Sequence, residues 1–124
     1  MPLNLETYGD QQFIRSVQDD HIIVGETTLS TSFILTPESL FPEWEVQQAS
    51  DLSEALMAPL LEHDPELVVL GTGSRQIFPD TQLLLPFLRQ GVGVEVMSTD
   101  AACRTFNICV HENRRVVAGI IFPG

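Results

Sequence analysis

The sequence predicts an α/β fold, a mixed sheet covered by helices with a β-hairpin layer over part of it. The first observation is residues 67–70, four consecutive apolar residues that are typical of a strand buried on both faces. The second is a change of pattern near Trp44. Alternating apolar and polar residues precede it, whereas strand-like runs and capped helical segments alternate after it. Helices that connect consecutive strands imply parallel neighbours in the sheet.

A length of 124 residues is that of one domain with a core of its own. We expect a single domain over residues 1–124, with a β-hairpin or meander region at about 1–42 and a βαβαβαβ region at 43–124. No stretch of the sequence approaches the length of an apolar membrane span. Residues 1–10 lack the basic and apolar regions of a signal peptide. These features predict an unprocessed cytoplasmic protein.

Charge is distributed unevenly along the chain. The full chain has a net charge of −11. Residues 1–70 contain 13 of its 17 acidic residues but only one of its six basic residues. Such an acidic protein is a poor partner for nucleic acid or anionic lipid, since both bind preferentially to cationic surfaces. All six basic residues are arginine. The absence of lysine excludes Schiff-base chemistry, a phosphate-loop lysine and a lysine-bound pyridoxal phosphate.

The first region predicts short strands joined by turns. Residues 13–18 alternate apolar and polar side chains and are followed by a second apolar run at 21–24, which together predict a β-hairpin. Residues 32–36 predict a further strand. The hydroxyl-rich residues 27–32 predict a solvated turn, and the proline-containing residues 37–43 a connecting loop.

The second region predicts strands and helices in alternation. We expect strands at residues 43–47, from 67, at 92–97 and at 115–122. We expect a first helix capped by Ser50 or Asp51, a second that begins at Thr81 and a third that begins near Asp100. Pro59 is expected to kink the first helix or end it early, and Pro86 to bend or shorten the second. Gly91 is expected to follow the C-terminus of the second helix.

The candidate binding site starts at Gly71-Thr72-Gly73, which follows the buried strand and continues into Ser74 and Arg75. Ligands of open α/β sheets bind at the carboxyl ends of strands, and main-chain N–H groups with an arginine can receive an anion. The dinucleotide fingerprint requires a third glycine and an immediate helix, which this segment lacks. A tight turn without a ligand is the alternative interpretation, and for an isolated pair of glycines we weight it above a ligand site.

Ser98 and Thr99 follow another predicted strand, so we expect them at the same edge of the sheet. Together with Arg104 and Asn107 they are expected to converge on the loop of residues 71–73 and to form a polar pocket. Alternatively, Ser98 or Thr99 caps the next helix, and Arg104 pairs with an acid.

Residues that could carry catalysis are scattered. The histidines His21, His63 and His111 lie on a predicted hairpin and at two predicted helix ends. Cys103 and Cys109 are six residues apart on one predicted helix, which places them on different faces. No cluster of histidine, cysteine and acidic residues has metal-ligand spacing. We therefore expect no catalytic residues, no metal site and no cofactor.

Four segments carry a resemblance to a known family: Gly-Thr-Gly at residues 71–73, VEVMST at 94–99, AACRTFN at 101–107 and ENRRVVA at 112–118. With residues 33–37 and Trp44 upstream, they resemble the bacterial domain family that includes mitochondrial NADH dehydrogenase (complex I) assembly factor three. The resemblance covers nearly the whole chain. It implies a three-layer α/β fold whose central mixed sheet has an antiparallel last strand. It also implies no known enzymatic activity, and a bacterial protein that acts through protein contacts.

The function expected first is that of a non-enzymatic binding or assembly protein that holds a protein partner through an exposed surface. The alternative is a small-ligand or anion-binding domain, or an unrecognised enzyme, with a pocket between residues 71–74 and 98–107. Neither interpretation involves nucleic acid or stable insertion into a membrane. A homodimer is also compatible with the sequence, since residues 31–36 or the N-terminal hairpin could leave a sheet edge free for self-pairing.

Overall fold

The computed structural model describes residues 11–122, and the predictions for residues 1–10 lie outside this part of the chain. Residues 11–122 form eight strands, three α-helices and one short 3₁₀ helix. The strands are β1 (Ile14–Val17), β2 (Ile22–Val24), β3 (Thr27–Leu29), β4 (Phe33–Leu35), β5 (Leu40–Phe41), β6 (Leu67–Thr72), β7 (Gly93–Met97) and β8 (Val116–Ile121). The helices are α1 (Glu54–Leu61), α2 (Thr81–Arg89) and α3 (Thr99–His111), and the 3₁₀ helix is Ala49–Asp51.

The central sheet has five strands in the order β5-β4-β8-β6-β7. β6 is parallel to both of its neighbours, with Leu67 opposite Gly93 on one side and Val116 on the other. β8 is antiparallel to β4, which is antiparallel to β5. The sheet is therefore mixed, as predicted. The last strand, β8, was expected to be antiparallel, and it is antiparallel to β4 but parallel to β6. It is parallel to β6 because helix α3 connects β7 to β8, and a helical crossover joins strands that run in the same direction.

Each face of the central sheet carries its own apolar layer, which confirms the three-layer architecture. On one face α3 and the antiparallel sheet β1-β2-β3 bury Val69, Ala118 and Phe106. On the other face α1 and α2 pack over Val68 and Val117. Successive residues of a strand point to opposite faces, and every residue of β6 and β8 is buried. This burial on both sides explains why both strands are continuous apolar runs in the sequence.

Side-chain capping marks where the three α-helices begin. α1 starts after Ser53, whose Oγ accepts a hydrogen bond from the N–H of Leu56 at 3.2 Å. The predicted cap at Ser50 or Asp51 is wrong, because those residues belong to the preceding 3₁₀ helix. Ser98 caps α3 as its sequence position suggests.

The two internal prolines coincide with short helices. α1 has eight residues and ends soon after Pro59, and α2 has nine and ends soon after Pro86. A proline removes one helical N–H donor and crowds the preceding turn. Gly91 follows α2 with a φ of 74°, the left-handed conformation that glycine adopts without steric cost.

The strand predicted at residues 43–47 is wrong. Trp44 and Val46 are both buried, but the N–H of Val46 donates to the carbonyl of Trp44 at 2.8 Å and closes a tight turn. The Trp44 indole donates to the Leu56 carbonyl at 2.9 Å, and its ring lies against Gly119. Their burial beside α1 and β8 therefore produces the apolar alternation that predicted a strand.

Two further strands lie where loops were predicted. Thr27–Leu29 pairs with β2 across a two-residue turn that contains Gly25, and Leu40–Phe41 pairs with β4. As a result β4 lies between β5 and β8 and has no free edge. The homodimer expected through residues 31–36 therefore lacks its structural basis at that strand.

Candidate functional site

The loop after β6 meets the start of α3 at the carboxyl end of the sheet. The N–H of Gly73 donates to the Thr99 hydroxyl at 2.9 Å, and the N–H of Thr99 donates to the Gly73 carbonyl at 2.8 Å. The Thr99 hydroxyl in turn donates to the carbonyl of Ile121, the last residue of β8. Thr99 is fully buried. The Thr99 side chain thus joins three chain segments, and its hydroxyl donates its one hydrogen bond within the protein and not to a ligand.

Gly71 allows α3 to approach β6 closely. A Cβ placed on Gly71 would lie 2.9 Å from the Thr99 Cα and 3.0 Å from the Ala102 Cβ, closer than side-chain carbons pack. The glycine therefore serves helix–strand packing at this position. Gly73 has a φ of 97° and is the residue at which the chain leaves the strand direction.

The other residues of the loop are held by Thr72. Its hydroxyl donates to the Arg75 carbonyl at 2.6 Å and accepts from the Ile77 N–H at 2.9 Å. Thr72 is buried, whereas Ser74 and Arg75 are exposed. The loop is thus a closed turn with its polar side chains directed outward.

Arg104 and Asn107 do not join this loop. Arg104 pairs with Asp100 one turn earlier on α3, and both side chains are largely exposed. The side-chain amide of Asn107 accepts from the N–H of Ile14 and donates to its carbonyl, at 2.9 and 2.8 Å. Asn107 therefore fastens β1 to α3, at a distance from the strand ends.

A small cavity of about 230 Å³ does lie beside the predicted loop. Gly73, Ser74 and Ser98 line it together with Asp100, and residues 17–19 of the hairpin close the other side. Asp19 and Asp100 make this lining acidic. The Asp19 carboxylate disfavours the anion that the sequence suggested as a ligand, whereas the Asp100 carboxylate is already paired with Arg104.

The thiols and histidines are in positions that suit structural roles. Burial raises the pKa of the Cys103 thiol to about 12, and the Asp100 carboxylate acts in the same direction. Burial also raises the pKa of Cys109. A thiol held protonated is a weak nucleophile. The exposed Asp20 carboxylate contacts the half-buried His21 ring at 2.7 Å, which lowers the pKa of the Asp20 carboxyl. Among residues 11–122 no three His, Cys, Asp or Glu side chains are placed to hold a metal ion.

Sequence reasoning missed a second feature, the outer edge of β7, the last strand of the central sheet. The N–H of Gly93 donates toward β6, to the Glu66 carbonyl at 3.3 Å. Because main-chain groups alternate along a strand, those of Val94 and Val96 point away from the sheet. The Gln76 side-chain amide donates to the outward Val96 carbonyl at 2.9 Å. Within residues 11–122 no other hydrogen bond reaches the outward groups of these valines. We call these outward groups the β7 edge.

Among residues 11–122, four of the six exposed large apolar side chains lie on α2, α3 and the loop after β6, elements next to β7, and we call these four the apolar rim. They are Ile77, Phe78, Leu88 and Ile108, with 43%, 67%, 59% and 57% of their surface exposed. Ile77 and Phe78 directly follow Gln76, whose amide covers the Val96 carbonyl. They therefore lie at the end of the β7 edge near the carboxyl end of the strand.

Leu88 and Ile108 lie on the two helices that contact β7, one in each helix layer. The groove between α1 and α2 is lined on the α2 side by Leu83, Pro86 and Phe87. Leu88 lies on the other side of α2, so it faces away from α1. On α3 the Thr105 hydroxyl donates to the Met97 sulfur at 3.4 Å, which places this flank of the helix beside β7. Ile108 lies one turn after Thr105 on the same flank.

Residues 11–122 form a three-layer α/β fold. Internal hydrogen bonds close the contact between the loop after β6 and the start of α3, and within these residues no strand pairs with the outer edge of β7. The family model described as a protein of unknown function (DUF498/DUF598) matches residues 14–121, from the start of β1 to the end of β8. The chain belongs to this family.

Relatives with a functional name confirm the resemblance drawn from the sequence. Proteins named NADH dehydrogenase [ubiquinone] 1 alpha subcomplex assembly factor 3 are 38% identical over 103 residues in Danio rerio and 38% identical over 96 residues in Homo sapiens. These alignments cover 82% and 73% of this chain but 58% and 52% of the relatives. The chain thus spans little more than half the length of these curated relatives.

A bacterial relative carries a different name. The "13 kDa major membrane protein" of Francisella tularensis is 30% identical over 77 residues, which cover 62% of this chain and 63% of that protein. Within residues 11–122 none of the helices is long and apolar enough to cross a membrane, and the longest, α3, has 13 residues.

Solved structures of bacterial proteins share this fold over most of the chain. A crystal structure from Bordetella parapertussis superposes with a TM-score of 0.85 at 34% identity, covering 90% of this chain and 95% of that one. An NMR structure from Xanthomonas campestris gives 0.83 at 40% identity, covering 100% and 94%. A Bordetella pertussis protein described as a Mth938-like domain gives 0.79 at 31% identity, covering 91% and 87%.

Proposed function

We propose that this protein acts by binding another protein, in the manner of an assembly factor, and not by catalysis. The relatives named as assembly factors of NADH dehydrogenase support this at the level of the family. The observation that carries the proposal for this chain is the apolar rim beside the β7 edge. Exposed apolar side chains near an unpaired sheet edge are typical of a protein-interaction surface.

The energetics of the rim fit such a role. Burying one leucine- or phenylalanine-sized side chain against a partner is worth about 1.5–3 kcal/mol. Phe78 and Leu88 are the two most exposed members of the rim, so they have the most surface to lose on binding. The partner we propose is a subunit of a membrane complex such as respiratory complex I, with a basic surface that complements a chain of net charge −11.

The test is co-purification of the tagged protein from native cells, with quantified recovery of respiratory-complex subunits. We expect the double variant Phe78→Ser/Leu88→Ser to lose most of this recovery. Phe41→Ser is the matched control, since Phe41 is a 40% exposed aromatic residue on β5, the opposite edge of the same sheet. Equal recovery by both variants, or no reproducible recovery by the unaltered protein, contradicts the proposal.

A second candidate function has its own observation. The cavity of about 230 Å³ beside Gly73, Ser74 and Ser98 could take a small ligand. The Asp19 carboxylate favours a cationic ligand over an anion, and so does the Asp100 carboxylate once the ligand displaces Arg104 from it. A rise in melting temperature with a small amine, absent in Asp100→Asn, supports this function. A flat response to amines, phosphates, nucleotides and carboxylates removes it.

We further propose that the protein acts in the cytoplasm. Both cysteines are buried free thiols, which suits a reducing compartment. Cell fractionation tests the location. Recovery in the soluble fraction supports it, and recovery with membranes after a high-salt wash contradicts it.

A further inference from the structure

We propose that the β7 edge takes up an extended segment of the partner as an additional strand of the central sheet. The segment presents apolar side chains to the α2 side and a basic side chain to the α3 side. This inference rests on the proposed protein-binding function and names the chemistry of the partner.

The main chain of β7 specifies an extended occupant. Val94 offers an outward N–H and an outward carbonyl, and Val96 offers an outward N–H. Groups on alternate residues of a strand are matched by the main chain of another strand. The Gln76 amide already donates to the outward carbonyl of Val96 at 2.9 Å. The edge thus accepts an amide donor in the place where a partner strand would supply one.

The two faces beside the edge differ in chemistry. Val94 and Val96 belong to the apolar layer covered by α1 and α2, and Leu88 extends that layer outward. Glu95 points to the opposite face and is exposed, and it has no ion pair among residues 11–122. A strand that alternates apolar and basic residues therefore complements both faces, with its cation opposite Glu95.

A second copy of this chain is the less favourable occupant. Two β7 strands paired antiparallel about a two-fold axis, with Val94 opposite Val96, would place Glu95 directly opposite Glu95 of the other copy. Like charges in that position destabilise a strand pair. Each copy also carries a net charge of −11, which opposes self-association at low salt. Charge therefore selects a basic partner.

The test uses the full chain, labelled with ¹⁵N, and a synthetic end-blocked peptide of alternating valine and arginine as the probe. We expect the peptide to shift the amide resonances of Val94 and Val96 and to slow their hydrogen exchange. The Glu95 amide serves as an internal reference, since it points toward β6. A control peptide of identical sequence, methylated on alternate main-chain nitrogens, keeps its charge but loses donors. We expect it to bind about tenfold more weakly.

Variants of Val94 separate main-chain pairing from side-chain contact. Val94→Ala keeps the outward N–H and is expected to bind the peptide within about threefold of the unaltered protein, whereas Val94→Pro removes that N–H and loses about tenfold. The proline is placed on an edge strand with its nitrogen facing solvent, where it is tolerated. The methylated peptide provides the same comparison without altering the protein.

Three outcomes overturn the inference: equal binding of the methylated peptide, shifts confined to other surfaces, or protection of the Val94 and Val96 amides by self-association without peptide. These outcomes are distinguishable from failure of the proposed function. If co-purification depends on Phe78 and Leu88 while the peptide does not pair with the β7 edge, protein binding stands and strand addition fails. If no partner is recovered, the broader proposal fails by its own experiment.

Discussion

Asn107 and Ile14 form a two-bond connection between the helical layer and the N-terminal sheet. The Ile14 N–H donates to Asn107 Oδ1 at 2.9 Å, and Asn107 Nδ2 donates to the Ile14 carbonyl at 2.8 Å. Both partners are main-chain groups of a buried residue, 93 positions earlier in the chain. One amide side chain thus satisfies a donor and an acceptor that burial would otherwise leave unpaired.

Replacement of Asn107 is expected to loosen the contact between β1 and α3. Asn107→Ala leaves the Ile14 N–H and carbonyl without their partners, at a cost of about 1–3 kcal/mol in the free energy of unfolding. Urea denaturation measures the change, and faster hydrogen exchange in β1 and β2 locates it. Arg104→Ala on the same helix is the control, because its exposed pair with Asp100 is worth about 0.5 kcal/mol at most. Equal effects of the two changes contradict the structural role of Asn107.

Gly71→Ala is expected to lower the free energy of unfolding by about 1–3 kcal/mol, the usual cost of overpacking. The added methyl would lie 2.9 Å from the Thr99 Cα, so helix and strand must separate. Gly93→Ala is the matched control on the neighbouring strand. Its nearest contact is a flexible leucine methyl at 3.5 Å, which is an ordinary distance. We expect that variant to unfold at or above the urea concentration of the unaltered protein. A neutral Gly71→Ala contradicts the close packing.

Thr99 provides a test of the hydrogen bonds at the loop junction. Thr99→Val keeps the volume of the side chain but leaves the Gly73 N–H and the Ile121 carbonyl unpaired, at about 1–3 kcal/mol for each group. Thr99→Ser keeps the hydroxyl and is expected to recover most of that loss. Thermal unfolding followed by circular dichroism compares the two variants. If serine is no better than valine, the hydroxyl does not hold the junction together.

Local sequence pattern predicts the elements whose signals are short-range. A serine cap predicts the start of α3, and Gly91 predicts the end of α2. Alternating valines predict β7. Residues 43–47 show the limit of this reasoning. Trp44 and Val46 alternate with acids because both are buried beside α1 and β8, and period-two alternation alone does not distinguish that from a strand.

In the candidate site, too, the sequence predicts some of the spatial relations between residues and not others. Gly73 and Thr99 meet because each follows one of two adjacent parallel strands, a relation that strand–helix alternation predicts. Asn107 lies eight residues beyond Thr99, which is about 12 Å along a helix, so it could not converge on that junction. The β7 edge depends on strand order. The crossover through α3 returns β8 to the far side of β6, and no local pattern in the sequence reports that choice.

Stability at alkaline pH is expected to depend on Cys103. Burial raises its pKa from 9.0 to about 12 in the folded protein, so the unfolded chain releases this proton first. The resulting contribution to stability is complete below pH 9 and is lost as the pH rises toward 12. The chain has no lysine and one tyrosine, so few other groups titrate in this range. We expect urea denaturation to show a flatter pH dependence for Cys103→Ala than for the unaltered protein.

Cys109→Ala is the control for this alkaline dependence. Burial raises the pKa of Cys109 as well, but this thiol lies in a less enclosed environment, with the Arg114 guanidinium opposing the effect. Its removal is therefore expected to flatten the curve less. Cys103→Ala also leaves a small cavity, which lowers the free energy of unfolding by the same amount at every pH. If, after correction for this loss, the free energy of unfolding of Cys103→Ala still falls with pH as steeply as that of the unaltered protein, Cys103 is not the source of the alkaline dependence.

Gln76 is expected to restrict access to the β7 edge, since its amide occupies the one outward carbonyl of Val96. A partner strand must displace this bond to pair along the full edge. A hydrogen bond of this kind contributes about 0.5–1.5 kcal/mol, so Gln76→Ala should bind the valine–arginine peptide about two- to tenfold more tightly. Gln82→Ala, an exposed glutamine in the first turn of α2, is the control and should bind like the unaltered protein. NMR titration gives the dissociation constants. Weaker binding by Gln76→Ala would show that Gln76 holds the edge in a receptive geometry instead of competing with the strand that enters it.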